Sequence, residues 1–150
     1  MKEYNVLILE DDENRMEQFY KSFEMYQDAH DVQFNVCHVE TAADAIAELS
    51  AGLQLTDDIN SASSMFDLVF LDHDLGGEVY VSLSDENTGS AVARWISEHT
   101  ESINKAWVIV HSLNHFGARN MCSLIPGAFY IPFIWEPRIF RTRIYGGLKR

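Results

Sequence analysis

Three short runs hold most of the residues able to do chemistry: Glu10-Asp11-Asp12, Asp72-His73-Asp74, and His111-Ser112 with Asn114. Each follows a hydrophobic segment, most abruptly in FDLVFLDHDLGG (66–77), where the run Phe66 to Leu71 ends in two acids, an imidazole and a double glycine. Carboxylates gathered in one place repel one another unless a cation neutralises them. Hard oxygen ligands with retained waters suit Mg²⁺, with Mn²⁺ close in preference. The metal-ligand candidates are Glu10, Asp11, Asp12, Asp72 and Asp74, led by Glu10 or Asp11 paired with Asp72. The competing reading is a solvated acidic rim with helix-capping acids.

His73 and His111 are candidates for general acid or base work, since an imidazole is the side chain whose ordinary pKa lies near neutral pH. As metal ligands they would shift the preference toward Mn²⁺, Fe or Zn²⁺, and as ordinary strand-end histidines they would only hydrogen-bond. Ser112 and Asn114 offer neutral donors for phosphate oxygens. Ser112 has no Gly-x-Ser-x-Gly surround to make it a nucleophile. Arg15 lies close enough behind the first acidic run to reach it, the alternative being a solvated helix position. Thr88-Gly89 opens a helix and either donates amides to an anion or simply caps. Gly76-Gly77 reads as a turn or a close backbone approach. No role falls to His30, His38 or His99, and His115 lies a turn beyond the fourth strand.

The elements that position these groups alternate. Strand patterns cover residues 4–9, 32–39, 66–71, 106–110 and 128–134, the last weakened by Pro132. Helical patterns follow the acids at 10–13 (apolar Met16, Phe19, Tyr20, Phe23 and Met25), cover 42–51 behind Thr41, begin after Thr88-Gly89, and cover 116–124. Residues 52–64 read as a surface loop, residues 79–83 as a short hairpin or lid, and the tail 137–150 as holding a short helix. Alternating strands and helices predict a doubly wound, parallel, five-stranded α/β sheet with helices on both faces, one domain over 1–150. Ligands of such sheets bind at the carboxyl ends of the strands, where all three runs fall.

The composition agrees with a packed domain: 150 residues, 47% hydrophobic and 12% aromatic. No apolar run nears the roughly 20 residues of a membrane span. The first residues lack the long apolar stretch and cleavage site of a signal peptide, and Cys37 and Cys122 suggest no disulfide framework, so a reducing cytoplasm is expected. A net charge of −12 speaks against holding a long polyanion. Arg138, Arg141, Arg143, Lys149 and Arg150 make 137–150 a basic tail, either solvated or in contact with a phosphate or a partner.

VLILEDDE, FDLVFLDHDLGG, VIVHS and YIPF, in that order, resemble the receiver domains of two-component response regulators, with their flavodoxin-like fold. The resemblance implies a Mg²⁺ site at Glu10, Asp11 and Asp72, a phosphoryl acceptor at Asp72, and a strand-four hydroxyl at Ser112. Receivers carry a lysine before the proline that follows strand five; here that position is Ile131. A narrower set is similar to the cyclic-phosphate-processing receiver clade: Asp11-Asp12 with Arg15, residues 71–77, Thr88-Gly89, and His111-Ser112-Leu113-Asn114 through Gly117, Asn120 and Met121.

That resemblance implies a phosphoesterase opening a cyclic phosphate, either a 2',3'-cyclic end or a cyclic nucleotide, in a bacterial or phage setting. His73, His111 and Asp72 are its expected catalytic groups, Ser112, Asn114 and Arg15 its phosphate contacts, and Mg²⁺ or Mn²⁺ its cofactor. Its expected partner is a small phosphorylated or cyclic-phosphate ligand, with long RNA met only at an end or through the tail. The other readings are a receiver signalling by phosphorylation at Asp72, a non-catalytic nucleotide-binding module, and an adaptor using the aromatic segment Phe129, Tyr130, Phe133 and Trp135.

Overall fold

The computed structural model describes residues 1–55, 62–77 and 80–132; the end of the fifth expected strand and the basic tail lie outside them. Strands β1 (Lys2–Leu9), β2 (Val32–Val39), β5 (Leu68–Leu71), β6 (Trp107–Val110) and β7 (Phe129–Tyr130) form one five-stranded sheet. Its order is β2-β1-β5-β6-β7 and every pairing is parallel. The order reverses between β1 and β5, so the crevice of the doubly wound sheet opens between their carboxyl ends.

Strand alternation divides the core. Val6, Ile8, Leu68, Phe70 and Ile109 face helix α1 (Glu13–Ala29). Leu7, Leu9, Val69, Leu71, Val108 and Val110 face α2 (Ala42–Ala51), α3 (Gly89–Glu98) and α4 (His115–Leu124). Helix α1 buries Met16, Phe19, Phe23 and Tyr26, a stripe at helical spacing. Tyr20 and Met25, expected on that stripe, are 47% and 56% exposed because they fall off the 3.6-residue period set by the other four. Thr41 and Thr88 cap α2 and α3 by accepting from the amides of Asp44 and Ala91.

Three local expectations change. Leu53–Leu55 (β3) and Ala62–Ser64 (β4) pair antiparallel, where a loop was expected. Tyr80 to Asn87 form no strand; the chain is held by an isolated bridge between Asp74 and Thr88 instead of a hairpin. Helix α4 starts at His115, one residue early, because Asn114 caps it by accepting from the Gly117 amide at 3.0 Å. Among the described residues no helix is long and apolar enough to cross a membrane.

Helix α3 enters the sheet edge unusually closely. The Gly89 amide donates to the His73 carbonyl at 3.0 Å, and a Cβ on Gly89 would overlap the Asp72 carbonyl oxygen and press on Met121 Sδ. Gly89→Ala is therefore expected to cost about 2–3 kcal/mol, because the obstacle is backbone that cannot turn away. A urea midpoint unchanged from that of the parent protein would contradict this packing.

Candidate active site

The parallel ladder sets the first residue after each strand in a row. Glu10, Asp72, His111 and Ile131 donate their amides to Val39, Leu9, Leu71 and Val110 respectively, at 2.8–3.1 Å. All four continue the pleat on the α1 face. His111 is buried, its ring edge-on to Phe19 at 5.3 Å. Ile131 is buried among apolar neighbours, so the receiver lysine position is filled by a core side chain.

Glu10 is 0% exposed, and a carboxylate there needs its charge compensated. Oε1 accepts from the Asp12 amide at 3.0 Å and Arg15 Nη2 at 2.8 Å. Oε2 accepts from Arg15 Nε and His111 Nε2, both at 2.9 Å. Burial alone would raise its pKa, but the bonds from His111 and Arg15 pull it down to about 2. Arg15 also reaches Asp72 Oδ2 at 3.3 Å. Asp72 differs: burial raises its pKa, Glu10 adds to the rise, His111 and Arg15 oppose it, and the result is about 6. An acid poised there exchanges protons near neutral pH.

His73 follows Asp72 and so points to the opposite face. Its ring is fully buried against α4, where Gly117 leaves the space; any Cβ there would overlap the imidazole. Nδ1 donates to Asp74 Oδ1 at 2.8 Å. The Asn114 amide donates to the same oxygen at 3.0 Å, and the Tyr80 and Val81 amides donate to Asp74 at 2.8 and 3.0 Å. Burial would raise the Asp74 pKa, but these bonds hold it below the usual carboxylate range. The network ties the end of β5, the following loop and the cap of α4 together.

A cavity of about 230 Å³ opens over the crevice, lined by Asp11, Asp12, Arg15, Asp72, Asp74, Gly77, Ser112 and Leu113. Glu10, Asp11 and Asp72 can each place an oxygen within 4.8 Å of the others, an arrangement able to hold a metal ion. Asp12 lines the cavity too, while its Oδ1 caps α1 through the Arg15 amide at 2.9 Å. Of the sequence candidates, Asp72, Arg15, Ser112, Asp11, Asp12 and Asp74 meet in the lining. His73, His111 and Asn114 do not line it; they buttress Asp74 and Glu10 from behind.

Some contributors escaped the sequence reading. Leu113 forms part of the cavity wall, and the Gly77 amide, read only as part of a turn or a close backbone approach, donates to Asp11 Oδ2 at 2.7 Å. His38, given no role, bonds the Glu10 carbonyl through Nε2 at 2.7 Å. The glycine inside α4 was the available signal for a close approach, since glycine costs a helix interior about 1 kcal/mol relative to alanine.

A parallel sheet with this order and a carboxylate crevice defines a receiver-type protein, and solved structures agree on the fold. The phosphorylated cyanobacterial phytochrome response regulator RcpA is 19% identical, with a TM-score of 0.63 over 98% of this chain and 91% of that one. The receiver domain of a sensor histidine kinase from Pseudomonas aeruginosa, with magnesium coordinated in its active-site cleft, is 13% identical, with a TM-score of 0.65 over 98% of both chains. The receiver domain of the response regulator NarL from Mycobacterium tuberculosis is 11% identical, with a TM-score of 0.63 over 99% of this chain and 98% of that one. No curated protein matches. Within that class, residues 6–126 match the family model of the cyclic-phosphate processing receiver domain, and the chain belongs to that family.

The raised Asp72 pKa makes a stability prediction. An acid whose pKa rises on folding takes up protons as it folds. Stability therefore falls as pH rises from the ordinary value of 3.8 toward about 6. Asp72→Asn is expected to be more stable than the parent at pH 8, by on the order of 1–3 kcal/mol, with the gap closing toward pH 4. Denaturation across that range reads the difference directly; a gap independent of pH would mean that Asp72 keeps an ordinary pKa.

Proposed function

We propose that the protein opens a cyclic phosphodiester by hydrolysis, taking a 2',3'-cyclic nucleotide end or a small cyclic nucleotide. The observation that carries this is Asp72: a buried carboxyl that faces a cavity, within reach of the Arg15 guanidinium and sharing the cavity lining with Ser112. Asp72 takes a proton from the attacking water on an oxygen that holds no cation, the new P–O bond forms, and the ring P–O bond breaks as that proton passes through a second water to the leaving ring oxygen. Arg15 Nη2, already within reach of Asp72, offsets charge on the phosphoryl oxygens. Ser112, also in the lining, can donate its hydroxyl to a phosphate oxygen while its Oγ accepts from the Asn114 amide. His111 and His73 hold Glu10 and Asp74 in place and act as positioning residues.

The cavity carries more acids than Arg15 can balance, so an anionic phosphate needs further positive charge. Asp11 and Asp72 suit Mg²⁺ or Mn²⁺, which would polarise the phosphoryl oxygen when bound. About 230 Å³ is below the range of drug-sized pockets, roughly 300–1,000 Å³. The phosphate and part of the sugar enter, and the remainder stays at the mouth. This favours a small ligand or the end of an RNA over a continuous strand, in keeping with the net charge of −12.

A second reading, phosphoryl acceptance at Asp72 as in a signalling receiver, is favoured by the position of Asp72 at the end of the central strand beside Ser112. The buried Ile131 speaks against it, since an apolar core side chain stands at the receiver lysine position. A single panel separates the readings. Incubation with 2',3'-cyclic mononucleotides and cyclic dinucleotides, with Mg²⁺, Mn²⁺ or EDTA, followed by ³¹P NMR, should show monoester product. Asp72→Asn should lose about 10²-fold or more. Acetyl phosphate labelling of the parent but not of Asp72→Asn, without turnover, would support the signalling reading. Tight binding without either would point to a nucleotide-sequestering module.

A further inference from the structure

We infer that Arg15 sets the cation affinity of this site by withholding Glu10 from the ligand set. The inference rests on the divalent-cation part of the proposed function. Glu10 has about four lone-pair positions on its two oxygens. Four donors occupy them: the Asp12 amide, two nitrogens of Arg15 and His111 Nε2, at 2.8–3.0 Å. Arg15 spans both oxygens, the fork geometry that a guanidinium shares with a carboxylate. A cation reaching for Glu10 must break that fork inside a buried site.

Asp72 and Asp11 are held differently. Arg15 touches Asp72 through a single contact of 3.3 Å, and the other oxygen of Asp72 accepts only the His73 amide at 2.8 Å among the described residues. Asp11 is bonded through Oδ2 to the Gly77 amide, is only partly buried, and lines the cavity. A cation can therefore recruit Asp11 and Asp72 by displacing one long contact, leaving the Glu10–Arg15 pair intact. Two carboxylates leave most of an octahedral shell to water and to phosphate oxygens. The ion is held weakly by the free protein and more firmly once a phosphate joins the shell. Arg15 thus couples cation binding to substrate binding, and Glu10 serves as its anchor.

The test is direct binding of Mn²⁺, followed by the loss of the free-ion EPR signal. It uses the parent protein, Arg15→Gln, Glu10→Gln and the double variant, with thermal melts to verify folding. Arg15→Gln is expected to bind Mn²⁺ about tenfold or more tightly than the parent, because Glu10 becomes a third anionic ligand. Glu10→Gln alone should change the affinity by less than about threefold, and adding it to Arg15→Gln should abolish the gain. Arg15→Lys, which keeps the charge but not the fork, should show part of the gain and carries the test if Arg15→Gln does not fold. Equal or weaker binding by both Arg15 variants, with Mn²⁺ bound by the parent, overturns the inference and leaves the cation site standing. A gain that survives in the double variant overturns the assignment to Glu10. No binding by any variant overturns the inference and the cation part of the proposed function together.

Discussion

A carboxylate with no solvent access organises this protein. Glu10 sits at the end of the first strand, inside the crevice, and its charge survives only because four donors from three residues converge on it. Removing one partner of such a buried arrangement leaves an uncompensated ion, at a cost of about 3–5 kcal/mol. The start of α1, the end of β6 and the rotamer of Arg15 are thereby fixed together. Asp72 inherits its character from the same centre. It lies beside Glu10 in a poorly solvated place and receives one backbone amide and the long contact of a guanidinium already committed elsewhere, so Glu10 is held ionised while the pKa of Asp72 is raised to about 6.

Strand alternation separates chemistry from support. Residues 72 and 73 are adjacent, yet one lines the cavity and the other is sealed between the sheet and α4. The cavity side holds groups that can exchange protons or contact phosphate. The sealed side holds His73 and Asn114, whose bonds to Asp74 in the cavity lining help fasten a long connection that lacks regular structure between Tyr80 and Asn87. A precise site can be built on loops when a buried polar network of this kind restrains them.

Much of the architecture was legible because hydrophobic runs and their polar ends follow simple periods. The five strands, four helices and the crevice come from alternation and from the switch-point rule, and Asp72, Arg15 and Ser112 were placed at one edge on that basis. The histidines were harder. Gathering polar residues by strand end alone ignores which face each takes; the pleat assigns His73 to the face away from Asp72, and His111 to the buried end of the same row. The β3–β4 pair was missed because GLQLTDDINSASS has neither the alternation nor the β-branched content of a strand. Tyr20 and Met25 show the opposite error, apolar residues counted toward a stripe whose period excludes them.

The contact between His73 and Gly117 binds two distant positions into one choice. With histidine at the first, the second has no room for a side chain; with any side chain at the second, the imidazole must go, and with it a bond to Asp74. Neither change is tolerable alone, so the pair should pass through evolution as a unit. Across related receivers, histidine after the strand-three aspartate and glycine in the first turn of the fourth helix should appear and vanish together. That covariation would sort this arrangement from ordinary receivers by sequence, without reference to any activity.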